Sequence, residues 1–323
     1  MRKTGLVLAG GGGKGAYQIG VWKALKEYGI ENSIQVVSGT SIGALNASLF
    51  VQGDYDIAEN VWLNISKDKV LSVDPEKLIA AFAQYGLKIA GVPPLQRWLM
   101  GVKNHGVFSR QGLLEIIDEN LNLDYVSNSD IVSYATCCEL PNLKANYFNL
   151  NCEENEKITD ILLASSALPV VYESVEIDGK RYFDGGLPVK NADNVPVQPV
   201  YDEGCDLIFV VHLSREYVLD AKRFPNAQII EIVPQDDQGG LFSGTLDFTK
   251  QGASRRIEQG YRDAIRILKP IFEMAMTQAK VSKSLQQIKN DENQFRVKRE
   301  NILDERAELK SEIDILLNSS RGN

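Results

Sequence analysis

The pentapeptide Gly39-Thr40-Ser41-Ile42-Gly43 decides the fold class, because it lies between two apolar stretches of different character. The run Ile34 to Val37 before it is typical of a buried strand, and Ala44 to Phe50 after it is typical of a buried helix. A serine on a sharp strand-to-helix turn has its hydroxyl exposed, and the first amides of the helix point at whatever it attacks. We therefore predict that Ser41 is a nucleophile. The alternative is a serine that only caps the helix.

The same strand–turn–helix order precedes this elbow. Residues 5–10 predict a first strand, Gly10 to Gly15 a glycine-rich turn, and Ala16 to Tyr28 a helix that ends at Gly29. Strands and helices that alternate at this spacing predict a parallel sheet with right-handed crossovers. Because the carboxyl ends of neighbouring parallel strands meet at one edge, we expect the glycine turn and Ser41 to lie together there.

The turn Gly10-Gly11-Gly12-Gly13-Lys14-Gly15 satisfies the pattern G-x-G-x-x-G. A dinucleotide site needs an acidic residue at the end of the second strand, and Ser38-Gly39-Thr40-Ser41 contains none. A P-loop needs Ser or Thr after its Gly-Lys pair, whereas Gly and Ala follow here. The remaining interpretation is an anion-binding turn whose amides face a developing oxyanion.

A third motif, Asp184-Gly185-Gly186, directly follows the predicted strand Arg181 to Phe183. Asp-Gly is common in ordinary turns. At the end of a strand, however, the carboxylate can act as a general base toward a serine. Both interpretations remain open from the residues alone.

In this order and combination the three motifs resemble those of the patatin-like phospholipases, over about residues 4–200. Members of that family share G-G-G-x-[RK]-G, then G-x-S-x-G, and later D-G-[GA]. The resemblance implies a parallel-sheet α/β sandwich related to the α/β hydrolases. It also implies a Ser–Asp dyad in which Ser41 is the nucleophile and Asp184 is the proton acceptor.

The resemblance further implies an oxyanion hole formed by the amides of Gly11, Gly12 and Gly13. The other glycines of the motifs are Gly10, Gly15, Gly39, Gly43, Gly185 and Gly186. The implied reaction is hydrolysis of a phospholipid, lysophospholipid or other acyl ester through an acyl-enzyme. The sequence departs from the family pattern after Asp184, because residues 187–196 are longer than the usual short Asn-x-Pro ending.

Two other functions are compatible with the residues. A conventional Ser–His–Asp hydrolase could use His212, although this histidine lies in the apolar run Ile208 to Leu213 and is typical of a strand end. His105 lies in a loop-like stretch and is expected to be solvated. The second alternative is a lipid-binding or assembly module without catalytic activity.

The middle of the domain, about residues 54–130, predicts a helical insertion or lid. Its predicted helices are Asp56 to Ile65, Pro75 to Ile89, and one that Ser109 caps and that runs to Leu121. An acyl chain needs an apolar groove, and we expect this block to supply it. The lining or lid candidates are Trp62, Phe82, Tyr85, Trp98, Leu99 and Phe108. For each of them, core packing is the alternative.

Strands return after the insertion. They are predicted at Ile131 to Cys138, Ala145 to Leu150, Val175 to Ile177, Arg181 to Phe183, Leu207 to Leu213 and Gln228 to Val233. One further helix is predicted at Thr159 to Leu168, before Pro169. We therefore predict an acyl hydrolase domain over residues 1–270 and a charged helical tail over 271–323.

The tail has apolar residues at every seventh position. They are Met274, Val281, Ile288, Phe295, Ile302, Leu309 and Leu316. The companion positions are apolar at Leu285 and Ile313 but polar at Glu292, Arg299 and Arg306. This pattern predicts either a weak coiled coil, and so a homo-oligomer, or a long helix that lies on a domain surface. Recruitment of another protein is a further possibility.

Charge and cysteine content restrict the partners. The chain of 323 residues has a formal net charge of -8, which argues against nucleic acid and against bulk attraction to anionic membranes. A local apolar patch could still make transient contact with the inner membrane surface. Four cysteines without C-x-x-C spacing and only two histidines predict no metal, no cofactor and a cytoplasmic location. No apolar stretch approaches the about 20 residues that span a bilayer.

Overall fold

The computed structural model describes residues 3–65, 111–169 and 172–319. The predicted helix Pro75 to Ile89, the beginning of the helix from Ser109, and His105 lie outside these ranges. So do Phe82, Tyr85, Trp98, Leu99 and Phe108. The chain divides into two compact units, residues 1–268 and residues 269–323.

A mixed sheet forms the centre of the first unit. Its eight strands are β1 (Thr4–Leu8), β2 (Ile34–Thr40), β3 (Val132–Glu139), β4 (Lys144–Asn149), β5 (Val175–Ile177), β6 (Lys180–Asp184), β7 (Leu207–Val211) and β8 (Gln228–Ile232). The strand order is β5-β6-β3-β2-β1-β7-β8, and β4 pairs with β3. Strands β3, β2, β1, β7 and β8 are parallel, as predicted. The pairs β3–β4 and β5–β6 are antiparallel because short turns return the chain between them, and β6 also pairs antiparallel with β3, from which it is distant in sequence.

Helices connect the parallel strands. The helices of the described ranges are α1 (Ala16–Glu27), α2 (Ile42–Gln52), α3 (Tyr55–Asn64), α4 (Gln111–Asn120), α5 (Leu123–Ser127), α6 (Asn155–Ser165), α7 (Val197–Asp202) and α8 (Lys250–Ser319). A 3-10 helix spans Gly12–Gly15 and a π-helix spans Leu241–Thr245. Gly29 follows α1 with φ +68°, as expected of a residue that ends a helix.

The core lies on both faces of the sheet. Leu6 and Leu8 of β1 point into the larger core, which α1, α2 and α6 cover, whereas Val7 points into a smaller core that contains Val200 of α7. All five residues of β1 are buried. The sequence run Leu6 to Ala9 therefore indicates a central parallel strand that is apolar on both faces.

The antiparallel strands bring β6 to the end of β2. Thr136 of β3 pairs with Thr40, the last residue of β2, and the next residue, Cys137, pairs with Asp184, the last residue of β6. Both residues of β3 also pair with β4. Since a strand residue has one neighbour on each side, β2 and β6 lie end to end along the same side of β3. Asp184 consequently lies next to the turn that follows Thr40.

The second unit consists of the helical residues 269–319 of α8. The side chains of the seven-residue repeat are exposed at Met274, Val281, Ile288, Phe295, Ile302 and Leu309. The side chain of Leu316 lies outside the described part. Across the described ranges, the hydropathy of each helix is too low or its length too small for it to cross a membrane.

Candidate active site

Ser41 forms the sharp turn between β2 and α2. Its φ of 57° and ψ of -127° are rare for a residue with a side chain, and such a conformation costs about 1–3 kcal/mol. The turn also needs its glycines, because a Cβ on Gly43 would collide with the carbonyl of Leu8. Ser41 therefore occupies the strained elbow that the pentapeptide predicts.

The backbone of the elbow is held by a second serine. The amide of Ser41 donates a hydrogen bond of 2.8 Å to Ser165 Oγ, at the end of α6. Ser165 in turn donates a hydrogen bond of 2.7 Å to the carbonyl of Thr136 in β3. Ser165 is fully buried. The chain of hydrogen bonds thus connects the strained residue to a strand and a helix at once.

Asp184 lies beside Ser41 and is almost entirely buried. Its Oδ1 accepts a hydrogen bond of 2.7 Å from the amide of Gly186, and its Oδ2 has no hydrogen-bond partner among the described residues. Burial raises the pKa of Asp184 to about 6, and the nearby Ser41 hydroxyl and the Gly186 amide partly oppose this rise. The Ser41 hydroxyl is thus close enough to stabilise the carboxylate, without a hydrogen bond of standard geometry.

The glycine turn presents unused amides at the same edge of the sheet. In the 3-10 helix the amide of Lys14 donates to the carbonyl of Gly11, so the three preceding amides have no acceptor within the helix. These are the amides of Gly11, Gly12 and Gly13. Such a set of free donors at the start of a helix favours a bound anion or oxyanion.

Asn194 joins the glycine turn to the loop that carries Asp184. The amide of Gly10 donates to the carbonyl of Asn194 at 3.1 Å, and Asn194 Nδ2 donates to the carbonyl of Gly10 at 3.2 Å. The neighbouring residue Asp193 donates through its amide to Gly185 at 3.0 Å and accepts at its carbonyl from the Thr40 hydroxyl at 2.9 Å. The long segment after Asp184 therefore ends in Asn194-Val195-Pro196 and connects all three motifs.

An apolar cavity of about 80 Å³ opens beside Ser41. It is lined by Gly12, Ser41, Ile42, Leu45, Asn46, Leu49, Val61, Trp62, Ile65, Leu113, Ile116, Ser166, Tyr172 and Phe248. Trp62 is the lining candidate that the structure describes. Its ring stacks at 6.4 Å on Phe248, and its indole N–H donates to Asn46 at 2.9 Å. A tryptophan with a satisfied N–H presents only apolar surface to the cavity.

The buried histidine lies in a different environment. His212 Nε2 is 2.8 Å from Glu231 Oε2, and its ring is 5.8 Å from that of Tyr217. Burial lowers the pKa of His212, although Glu231 opposes the decrease. Neither Ser41 nor Asp184 is among its hydrogen-bond partners in the described structure.

No group of three His, Cys, Asp or Glu side chains in the described ranges is arranged to hold a metal ion. All four cysteines are free; Cys137, Cys138 and Cys205 are buried and Cys152 is exposed. At this edge of the sheet the described residues supply a hydroxyl, a carboxylate and backbone amides.

Sequence reasoning did not identify Ser165 or Asn194. Both act through backbone groups of the motifs, so neither belongs to a short pattern around a catalytic side chain. The signal for Ser165 in the sequence is a serine at the end of an apolar helical run, a few residues before Pro169. The signal for Asn194 was its place before Val195-Pro196, which repeats the Asn-x-Pro ending a few residues late.

The chain is similar to known proteins over the part that contains this site. The sequence model of the patatin-like phospholipase family matches residues 6–201. A protein of Chaetomium globosum named lysophospholipase NTE1 is 28% identical over 215 residues, which cover 66% of this chain and 12% of that protein. A lysophospholipase nte1 of Aspergillus terreus is 52% identical over 56 residues, or 17% of this chain and 4% of its own. The chain thus spans about an eighth of the first of these relatives and less of the second.

Two solved structures resemble the fold at low sequence identity. VipD from Legionella pneumophila is 14% identical with a TM-score of 0.40, over 83% of this chain and 67% of that one. Human GIVD cytosolic phospholipase A2 is 10% identical with a TM-score of 0.39, over 85% and 58%.

Proposed function

Because the chain belongs to the patatin-like phospholipase family, we propose that it hydrolyses carboxylic ester bonds of lipids with Ser41 as nucleophile and Asp184 as base. One observation carries this proposal. The strained Ser41 and Gly12, one of the three glycines with free amides, line one apolar cavity, and the buried Asp184 carboxylate lies beside Ser41 with one oxygen that has no hydrogen-bond partner among the described residues.

The reaction begins with proton transfer from Ser41 to Asp184 while the serine oxygen attacks the ester carbonyl. The carboxylate suits this task because its pKa of about 6 leaves it ionised at neutral pH yet basic enough to accept a proton. The protonated Asp184 then gives its proton to the departing alcohol, which leaves an acyl group on Ser41. Asp184 next takes a proton from water while the water oxygen attacks the acyl carbonyl, and it returns the proton to the Ser41 oxygen as the bond to the acyl carbon breaks and the fatty acid leaves.

The negative charge of each tetrahedral intermediate needs donors that are already in place. The amides of Gly11, Gly12 and Gly13 supply them, since they have no acceptor within their 3-10 helix. One lost oxyanion donor typically costs about 3–4 kcal/mol of transition-state stabilisation. The position of this turn is therefore expected to change the rate by orders of magnitude.

The cavity accounts for an acyl chain as substrate. Its lining is mostly apolar, and Gly12 and Ser41 belong to its wall. An ester whose chain enters the cavity places its carbonyl beside both the nucleophile and the amides. The relatives named lysophospholipase make a lysophospholipid the first substrate to test. Transient contact with a membrane surface is part of this proposal, because such substrates reside there.

The test is lipid profiling by mass spectrometry after incubation with the wild type or with Ser41→Ala. We expect fatty acid release from lysophospholipid or phospholipid by the wild type alone, with equal melting temperatures for the two proteins. Equal release by the two proteins would refute the proposed enzymatic activity of Ser41. A rate loss above about a thousandfold in His212→Ala would instead support a Ser–His–Asp enzyme, and lipid binding without turnover would support a non-catalytic module.

We also propose that residues 271–317 associate with a second copy of the chain. Six described apolar side chains of the seven-residue repeat are exposed, which a helix in water does not favour. A parallel in-register pair would place Arg299 on Arg299 and Arg306 on Arg306. An antiparallel pair centred near residue 297 instead places Glu292 of one chain between Arg299 and Arg306 of the other. Charge thus favours the antiparallel pair.

The oligomeric state of the full chain tests this second proposal by light scattering. We expect a dimer for the wild type and a monomer for the double variant Ile288→Asp with Phe295→Asp. Gln287→Asp with Gln294→Asp is the matched control, because these exposed positions have the same spacing one residue earlier. A monomeric wild type would rule out self-association. If the control variant were also monomeric, the loss of the dimer would be due to the added charge rather than to the lost apolar side chains.

A further inference from the structure

The glycine turn is in close contact with residues 238–247, which we call the supporting segment. A Cβ on Gly12 would collide with the carbonyl of Thr245, and a Cβ on Gly13 would collide with the carbonyl of Asp247. On the other side of the contact, a Cβ on Gly244 would lie 2.6 Å from Cε of Lys14. At Gly12 and Gly13 the contact is thus between two backbones. The supporting segment therefore limits where the amides of Gly12 and Gly13 can lie.

The supporting segment is anchored in the hydrophobic core near its end, through the buried Leu246, but its central turns lack such an anchor. Its centre is the short π-helix Leu241–Thr245, a rare conformation in proteins. Leu241 and Phe242, its largest side chains, are both exposed. The central turns before Leu246 therefore need a polar restraint to keep a defined position against the glycine turn.

Arg256 supplies that restraint from the first turns of α8. Its Nη2 donates to the carbonyl of Ser243 at 2.8 Å and lies 3.5 Å from the carbonyl of Gln238. Its Nη1 donates to the carbonyl of Asp247 at 3.2 Å, and Nη2 donates to the carboxylate of Asp247 at 3.0 Å. One guanidinium therefore binds the beginning, the middle and the end of the supporting segment.

The burial of Arg256 shows that these contacts are specific. Only 1% of the residue is exposed, Asp247 is its one ion-pair partner among the described residues, and its contacts are made by Nη1 and Nη2, whereas Nε has no hydrogen-bond partner there. Burying a charge is costly unless its hydrogen bonds are well formed. Because a buried guanidinium is costly, its four contacts indicate that the supporting segment is held in a defined position.

The helix that carries Arg256 is fixed to the helix that follows the glycine turn. A Cβ on Gly20 of α1 would collide with the carbonyl of Ile257, and a Cβ on Gly260 would collide with the carbonyl of Tyr17. The Tyr17 hydroxyl also lies 3.1 Å from the Asp263 carboxylate. Because α1 begins at Ala16, directly after the turn, Arg256 and the turn belong to one rigid frame.

We propose that Arg256 is a positioning residue for the oxyanion hole: it holds the supporting segment against Gly12 and Gly13, and so fixes the amides that stabilise the transition state. Arg256 acts on the reaction only through the backbone of these residues. This inference rests on the proposed ester hydrolysis. It predicts an effect on the chemical step, with substrate binding in the cavity left intact.

The test uses the full chain and a soluble p-nitrophenyl ester. Arg256→Met removes the donors and keeps much of the side-chain volume, Arg256→Lys keeps the charge, and Asp247→Asn removes one partner. Arg255→Met is the matched control, because Arg255 is the adjacent residue and is exposed. The readouts are kcat, KM, the melting temperature and the inhibition constant of a trifluoromethyl ketone, which forms an oxyanion on the serine.

We expect Arg256→Met to lower kcat about 100-fold, as for a misplacement of catalytic groups by about 1 Å. KM should stay within about twofold, and the ketone should bind more weakly by the factor lost in kcat/KM. Arg256→Lys should recover part of the rate, and Arg255→Met should match the wild type. An unchanged kcat in a folded Arg256→Met, or a change in KM alone, would overturn the proposal.

If Arg256→Met does not fold, Asp247→Asn decides the question, because the backbone contacts of Arg256 remain. We expect it to lower kcat about 10-fold without a change in KM, and a wild-type kcat would then refute the positioning role. Failure of the proposed function has a different signature. In that case the wild type and Ser41→Ala would hydrolyse the ester equally.

Discussion

The amide of Ser41 and the hydroxyl of Ser165 are joined by a 2.8 Å hydrogen bond that crosses from the elbow to the end of α6. The Ser165 hydroxyl in turn donates a hydrogen bond to the carbonyl of Thr136 in β3. The strained φ of 57° at Ser41 is therefore supported by a residue more than a hundred positions away in sequence. A positive φ at a residue with a side chain persists only where surrounding contacts hold it.

Ser165→Ala should consequently reduce both stability and rate. It leaves the buried amide of Ser41 without an acceptor, which costs about 1–3 kcal/mol of the free energy of unfolding. A less well held elbow should lower kcat by about 10- to 100-fold. Chemical denaturation and ester hydrolysis measure the two effects, and Ser165→Thr should recover much of both.

The adjacent residue offers a control for this prediction. Ser166 Oγ is buried and has no hydrogen-bond partner in the described part of the chain. Ser166→Ala therefore removes a hydroxyl of the same kind without breaking a bond, and its stability should equal that of the wild type or exceed it. If the two variants lose equal stability, the contact between Ser41 and Ser165 has no special role.

Asp184→Asn should be inactive and yet more stable at pH 8. The amide cannot accept the proton of Ser41, so we expect kcat to fall by about 10⁴-fold. Burial raises the pKa of Asp184 from 3.8 to about 6, so ionising the carboxylate weakens the folded state by about 3 kcal/mol above pH 6. The neutral amide avoids this cost. The free energy of unfolding should thus rise by about 1–3 kcal/mol at pH 8 and by less at pH 4.

The pH at which the gain in stability fades identifies its cause. Below pH 4 the wild-type carboxyl is protonated in both the folded and the unfolded chain, and the difference from ionisation disappears. A gain that is the same at pH 4 and pH 8 would assign it to packing. A loss of stability at pH 8 would contradict the buried and poorly solvated environment of this carboxylate.

The rate should depend on pH through the same carboxyl group. A base with a raised pKa is active above that pKa, so kcat/KM should fall as the pH decreases through about 6. The profile should remain unchanged in His212→Gln, because His212 Nε2 lies 2.8 Å from Glu231 and has no described contact with Ser41. A pH–rate profile of both proteins is the measurement. If the fall of kcat/KM at low pH were absent in His212→Gln, the titrating base would be the histidine.

Much of the fold was predictable because its signals are local. The strand-like run Ile34 to Val37, the glycine turn and the elbow predicted adjacent parallel strands, and β1 and β2 are paired in parallel. Val175–Ile177 was predicted with its observed bounds. In each case apolar periodicity and glycine placement carry the information within about ten residues.

The parts that were not predicted depend on contacts distant in sequence. The antiparallel return of β6 places Asp184 at the end of β2, and this follows from pairing with β3 rather than from any local pattern. The helix α6 begins at Asn155, ahead of the predicted Thr159, because its polar first turn lacks an apolar period. The π-helix Leu241–Thr245 and the start of α8 at Lys250 are likewise stabilised by tertiary contacts, those of Arg256 among them.

Gly12→Ala tests whether the glycine turn serves catalysis or only the fold. Gly12 has φ +56°, so a side chain there is strained by about 1–2 kcal/mol, and its Cβ would also collide with the carbonyl of Thr245. The collision displaces the turn from the supporting segment and moves the amides that we assign to the oxyanion.

Gly53→Ala is the matched control, because Gly53 has φ +79° and open space around its Cβ position. Backbone strain should lower the stability of both variants by a similar amount, and the collision with Thr245 should lower that of Gly12→Ala further. Only Gly12→Ala should lower kcat, by more than about 100-fold. Equal rates for the two variants in the ester assay would show that the amides of this turn do not stabilise the transition state.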